Sequence, residues 1–335
     1  MKKKLLALTL AALMAMSLAA CGGQSSTEPA QESKEPEAAE PAAQTFTIGI
    51  CQLVQHPALD AATQGFRDAV VEALGEENVT FVEQNASGDS ATCTTICGQF
   101  VTDGVDLILA NATPALQAAS AATGSIPILG TSVTEYGVAL GIDGFDGTVG
   151  TNVSGTSDLA PLDQQAAMVK ELFPDAKTVG LLYCSGEANS QYQVDTVKGY
   201  LEDLGYTCTL YSFVDSNDVT SVTKTACDAS DVLYIPTDNT AASNTEAINN
   251  VAKPAGVPVI TGEEGICAGC GVATLSISYY DLGVATGKMA VKVLTGESNI
   301  SEMPIEYAPQ FTKKYNADLA DALGVTIPEG YEAIA

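Results

Sequence analysis

Positive charge is scarce in this 335-residue chain: 14 lysines and arginines stand against 41 aspartates and glutamates, a formal net charge of -27. So acidic a surface repels phosphate backbones and anionic headgroups, which argues against a nucleic-acid partner and against direct membrane adhesion. Histidine is rarer still, with His56 alone, and the one arginine is Arg67, mid-helix between Phe66 and Asp68. One histidine leaves no His–carboxylate–nucleophile set, and no glycine-rich phosphate loop occurs, so the chain reads as a non-enzyme. Catalysis by carboxylates alone stays open as the alternative. No arginine sits at a strand end to clamp a dianion or phosphate. A ligand carboxylate would then rest on N–H groups and hydroxyls at helix N-termini.

Long apolar runs are also few. One spans Leu5 to Leu18 behind Lys2, Lys3 and Lys4, too short to cross a bilayer comfortably, and it reads as a secretory signal over residues 1–20. It ends Leu18-Ala19-Ala20-Cys21, then Gly22-Gly23. That string resembles the bacterial lipobox, which implies acylation at Cys21 and a membrane attachment through the lipid alone, outside the cytoplasm. Residues 21–45 are rich in Gly, Gln, Ser, Glu, Pro and Ala without apolar periodicity, a composition that reads as a disordered tether.

The remaining body is large enough for two domains. Strand and helix signals alternate through it, and equivalent landmarks recur at a nearly constant offset. Ile48 to Val179 and Pro127 to Pro258 are each 131 apart, Gly75 to Gly205 is 130 and Asp106 to Asp231 is 125. Both glycines close the phrase Glu-x-Leu-Gly. The body is therefore two copies of one βα unit, which predicts an α/β fold of two Rossmann-like parallel-sheet lobes. We place lobe 1 at 46–153 and lobe 2 at 154–276, with about 277–300 returning to the first and about 305–335 to the second. The segments Thr151–Gly155, Val272–Ser276 and Ile300–Gln310 fall outside the repeat and are the candidate crossings of a multi-strand hinge. A ligand would sit beyond the carboxyl ends of the strands, in the cleft between lobes.

Those ends carry the candidate ligand residues: Gln52, His56, Thr113, Ser132, Ser157 and Asp158 first, then Glu187, Asn189, Ser190, Asp238, Asn239 and Glu263. For the second-lobe candidates, Glu187, Asn189, Ser190, Asp238, Asn239 and Glu263, helix capping is the competing reading, and capping is compatible with ligand contact. His56 reads equally as a cleft residue or as a polar residue before the Pro57 helix start. Acidic ends favour a zwitterion or an amine, with Asp158, Glu187, Asp238 or Glu263 as the partner of a cationic amine, and Asp238 or Glu187 for the ammonium of an amino acid.

Nine cysteines are present, eight of them beyond Cys21. An even count outside the cell suggests disulfides, although a large core does not need them and several sit in apolar strands. Cys267-Ala268-Gly269-Cys270 reads as a loop CxxC, for which a local disulfide is the expectation ahead of a zinc or redox site. No metal and no cofactor is expected.

The strings IGICQLVQHPALD (48–60), GTNVSGTSDLAP (150–161), LLYCSGEANS (181–190), YIPTDNT (234–240) and GVATLSISYYDLG (271–283) span most of the body. They resemble the type I periplasmic-binding-protein fold, and within it the ABC substrate-binding family associated with tryptophan and tyrosine uptake. The resemblance implies an amino-acid ligand, an ABC permease and its ATPase as partners, and an aromatic or apolar ligand side chain that Tyr136, Tyr183 or Tyr279 could contact. A ligand-presenting sensor of the same fold, or a sugar or nucleoside ligand, are the alternatives. Cysteine at Cys51 and Cys184 departs from the family's strings.

Overall fold

A computed structural model describes residues 44–334. The expected signal, Cys21 and nearly all of the expected tether lie outside the described residues. In the first lobe strands and helices alternate as β1 (Phe46–Gln52), α1 (Pro57–Leu74), β2 (Val79–Asn85), α2 (Ser90–Asp103), β3 (Leu107–Asn111), α3 (Thr113–Ala122), β4 (Ile128–Val133), α4 (Tyr136–Leu140) and β5 (Val153–Ser157). The second follows with α5 (Leu162–Leu172), β6 (Thr178–Cys184), α6 (Ala188–Asp203), β7 (Thr207–Phe213), α7 (Val219–Cys227) and β8 (Val232–Ile235). It continues through α8 (Asn239–Ala242), α9 (Thr245–Ala255), β9 (Val259–Thr261), α10 (Glu264–Cys270) and β10 (Ala273–Ser276). The chain ends α11 (Tyr279–Leu294), β11 (Glu306–Tyr307), β12 (Thr312–Tyr315), α12 (Ala317–Leu323) and β13 (Glu332–Ala333).

The sheets run β11-β5-β4-β3-β1-β2 and β13-β12-β10-β9-β8-β6-β7. The four strands of each repeat thus share one order, second-first-third-fourth. Among the described residues only β10–β12 pairs antiparallel. Helices cover both faces of each sheet, which is why the central strands are apolar throughout rather than alternating. In β1, Ile48 and Ile50 pack toward α1 and α11 while Cys51 packs toward α2, all fully buried. The repeat extends to hydrogen bonds. Asp106 Oδ2 accepts from Thr47 N at 2.7 Å, and its counterpart Asp231 accepts from Lys177 N and Thr178 N at 2.8 and 2.9 Å.

Sheet membership differs from the sequence boundaries at two points. Val153–Ser157 pairs with β4, so the first lobe runs past 153. Glu306–Tyr307 pairs with β5 in the first sheet, and only β12 and β13 join the second. The chain therefore changes lobe three times, after Ser157, after Ser276 and after Tyr307. After β8 the chain forms two helices, α8 and α9, broken at Ser243–Asn244.

Helix α11 returns to lie on α1 at unusually close range. A Cβ added at Gly283 would overlap the carbonyl oxygen of Ala62, and one at Gly65 would overlap that of Tyr280. Glycine here is a packing requirement, because the two backbones touch.

The CxxC is not in a loop. Cys267 and Cys270 lie on α10, both buried and both free. Their helical spacing turns Cys270 Sγ back to the Ile266 carbonyl, 3.4 Å away, so the expected local disulfide is absent. All eight described cysteines are free thiols. Among the described residues no helix is long and apolar enough to cross a membrane.

Candidate functional site

The carboxyl ends of the strands face each other across the cleft, and their side chains close tightly around a small polar cavity of about 10 Å³, about the space of one water. From the first lobe and its crossings come His56, Leu59, Ser132, Thr134, Asp158 and Tyr279. From the second come Asn189, Thr237, Asp238, Asn239, Ala242 and Glu263. No lysine or arginine is among them.

Local geometry sets each of these in place. His56 is the extended residue before α1, with Pro57 opening the helix. Ser132, next to last in β4, lies in the left-handed region at φ 55°, and Ala112, before α3, has φ 94°. Non-glycine residues held there cost about 1–3 kcal/mol each and cluster where function requires a fixed backbone. Asp238 caps α8, Oδ1 accepting from Ala241 N at 2.8 Å, while Oδ2 accepts from Cys184 N at 2.6 Å. Glu263 caps α10 through Gly265 N and Ile266 N. Asp158 follows β5 at the first crossing. Its Oδ2 accepts from the Tyr279 hydroxyl at 2.9 Å, and its Oδ1 has no partner.

Electrostatically the cavity holds three buried acids and one neutral base. Burial pushes the carboxyl of Glu263 up to about 7; burial and then the Glu187 charge do the same for Asp238. Asp158 is raised by burial, against the Tyr279 hydrogen bond. Burial lowers the His56 pKa, so the ring is uncharged near neutrality. Four buried polar atoms of the lining lack any hydrogen-bond partner: His56 Nδ1, Ser132 Oγ, Asp158 Oδ1 and Asn189 Oδ1. Buried polar atoms are rarely left unpaired, so these are aimed at something the cavity receives.

Seven of the twelve candidates thus meet in one cavity: His56, Ser132, Asp158, Asn189, Asp238, Asn239 and Glu263. The other five stand behind it. Gln52 is tied to α1 through Asp60 at 2.7 Å and Thr63 at 2.7 Å. Ser157 donates to Thr134 O, and Ser190 lies against Asp238. Thr113 opens α3, its buried hydroxyl unpartnered but outside the cavity lining. Glu187 accepts from Asn239 and Thr240, and borders a second, wider cavity at the cleft mouth. Of the three tyrosines, Tyr279 reaches the lining, whereas Tyr136 donates to Thr156 O and Tyr183 to Gln191 Oε1. Thr134 and Thr237 escaped the sequence reading although each lies within two residues of a candidate. Leu59 and Ala242 look like ordinary apolar helix positions and carried no signal.

A family model described as ABC transporter substrate binding protein matches residues 47–335. A tyrosine-binding protein of Clostridioides difficile (strain R20291) is 35% identical over 324 residues, covering 96% of this chain and 92% of that one. Among solved structures, an ABC domain in complex with L-Trp from Streptococcus pneumoniae superposes with TM-score 0.83 at 32% identity, over 87% of this chain and 100% of that one. A ligand-free, open substrate-binding protein from Clostridium difficile is more similar in sequence, at 38% identity over 87% of this chain and 99% of its own. Its TM-score is nevertheless 0.66. In shape this chain is closer to the ligand complex than to the open form, in keeping with its lobes meeting around the cavity.

Proposed function

The chain belongs to the family of ABC transporter substrate binding proteins, and on that premise we propose that it captures an aromatic L-amino acid, tyrosine or tryptophan, in the inter-lobe cavity. It works outside the cytoplasm and delivers its solute to a membrane permease.

The observation that carries the ligand reading is the set of unpartnered acceptors. Asp158 Oδ1, Asn189 Oδ1 and His56 Nδ1 have no donor, and no lysine or arginine of the chain lines the cavity. An ammonium group offers three N–H donors and one positive charge, which suits three acceptors beside buried acids. The hydroxyls of Ser132, Thr134 and Thr237 are the donors left for the carboxylate. Tyr279, Leu59 and Ala242 give the ligand side chain apolar and aromatic contact. The names of the relatives support tyrosine and tryptophan over other amino acids. Lipid attachment at Cys21 belongs to the same reading, and a Cys21→Ser chain is expected in the medium rather than the membrane fraction.

Thermal melting with added solutes tests the ligand. L-Tyrosine or L-tryptophan raises the melting temperature, while the decarboxylated amine and the N-acetyl form do not. A melt shifted by sugars or nucleosides and not by amino acids sinks the amino-acid reading.

A further inference from the structure

His56 stands where both lobes and the cavity meet. Its Nε2 lies 3.2 Å from Asn239 Oδ1, across the cleft. The far side of Asn239 fixes the direction of that bond. Asn239 Nδ2 donates to Glu187 Oε2 at 2.6 Å, so Oδ1 is the atom turned to His56 and Nε2 must carry the hydrogen. Glu187 is itself held, Oε2 accepting from Asn239 N at 3.1 Å and Oε1 from Thr240 N and Thr240 Oγ1 at 2.9 and 2.8 Å. A neutral ring with its hydrogen on Nε2 presents a bare lone pair at Nδ1. That atom is buried, unpartnered and on the cavity wall.

We propose that His56 is the positioning residue that couples ligand capture to lobe closure: a ligand N–H donates to Nδ1, and the Nε2 hydrogen is donated across the cleft to Asn239, backed by Glu187. The identity of the ligand donor rests on the amino-acid reading above; the chain His56–Asn239–Glu187 rests on geometry. Hydrogen bonds in such a chain polarise one another, so a donor at Nδ1 strengthens the inter-lobe bond at Nε2. Among the described residues the other inter-lobe bond between side chains, Thr134 to Thr237, is long at 3.4 Å and joins two hydroxyls. A ligand lacking a donor at this point would occupy the cavity without drawing the lobes together.

The test is a double-mutant cycle on the mature chain with L-tyrosine and L-tryptophan as probes. His56→Ala and Asn239→Ala each weaken binding about tenfold or more through faster dissociation, with association nearly unchanged. The double variant is no weaker than the weaker single one, because both cut the same chain. Small-angle scattering shows wild type compacting at saturation and both single variants staying extended. Since His56 is the one histidine, its imidazole nitrogens give a single set of NMR signals; ligand-saturated wild type shows the Nε2-protonated form, and Nδ1 shifts on binding. Multiplicative losses in the double variant, undiminished compaction, or a hydrogen on Nδ1 overturn the latch while leaving amino-acid binding intact. If neither amino acid binds wild type, the ligand reading falls and the latch as stated falls with it.

Discussion

Tyr279 donates its hydroxyl to Asp158 Oδ2 at 2.9 Å, and so leaves Asp158 Oδ1 as the one carboxylate oxygen of the cavity acids without a protein partner. Tyr279 opens α11 just after the second crossing between lobes, and Asp158 lies on the first. The pair therefore ties two of the crossings together and aims an acid at the cavity.

Asp158→Asn is expected to weaken L-tyrosine binding by about one to two decades, the equivalent of about 1.5–3 kcal/mol for a hydrogen bond to a charged group. Tyr279→Phe keeps the ring and the carboxylate and loses less, about 0.5–1.5 kcal/mol. Isothermal titration reads both. Wild-type affinity in Asp158→Asn would move the ammonium site to another acid.

The buried acids also set a pH dependence. Asp238 and Glu263 have pKa values of about 7 in the folded chain, above the ordinary 3.8 and 4.5. A group raised on folding stabilises fully below its unfolded pKa and loses that contribution as pH rises through the folded one. Asp158 is shifted in the same direction. His56, lowered from 6.5, acts oppositely, losing its contribution as pH falls. Three acids outweigh one base, so the ligand-free melting temperature should decline from pH 5 to pH 8. An ammonium ligand favours the ionised acids, so its stabilising shift should be larger at pH 8 than at pH 5. A flat or rising ligand-free profile would contradict the assignment of these acids.

The helix pair of the first lobe gives a prediction about stability alone. Gly283→Ala places a methyl against the Ala62 carbonyl, where no flexible side chain can yield. Forcing α11 off α1 should cost about 1–3 kcal/mol, visible in chemical denaturation. Ala at Gly98, whose added Cβ meets nothing within 4 Å, is the control and should leave stability unchanged or slightly improved.

Much of the architecture was legible because a duplicated chain repeats its punctuation. Gly75 and Gly205, Pro127 and Pro258, and Asp106 and Asp231 announce two βα units, and the two aspartates make the same strand-start bonds in both. The lobe boundaries were less legible. Val153–Ser157 and Glu306–Tyr307 are placed by pairing with each other and with β4, a long-range relation that local pattern does not encode. The CxxC misled because glycines at 265, 269 and 271 look like loop residues, whereas Glu263 caps a short helix through them. In the cleft, polar residues after strands were identifiable by position, but their division into ligand contacts and supports was not. Glu187 and Asp238 are both carboxylates placed alike in sequence; only the hydrogen bonds show that both are engaged by backbone.

That engagement leads to the last prediction, which sets aside Asp238, one of the acids the sequence offered as the ammonium partner. Asp238 Oδ1 is committed to Ala241 N and Oδ2 to Cys184 N, so neither oxygen is free for a ligand without uncapping α8. In Asp238→Asn, the amide Oδ1 can still cap Ala241, but its NH₂ then meets the N–H of Cys184, donor against donor. Two buried donors without acceptors cost about 1–3 kcal/mol each. The variant should therefore lose stability at pH 7.5 while the folded fraction binds L-tyrosine within about threefold of wild type, the reverse of Asp158→Asn. Comparing the melting temperature and the titrated affinity of the two variants separates the roles. Should Asp238→Asn lose affinity and keep its melting temperature, Asp238 is the ammonium partner after all.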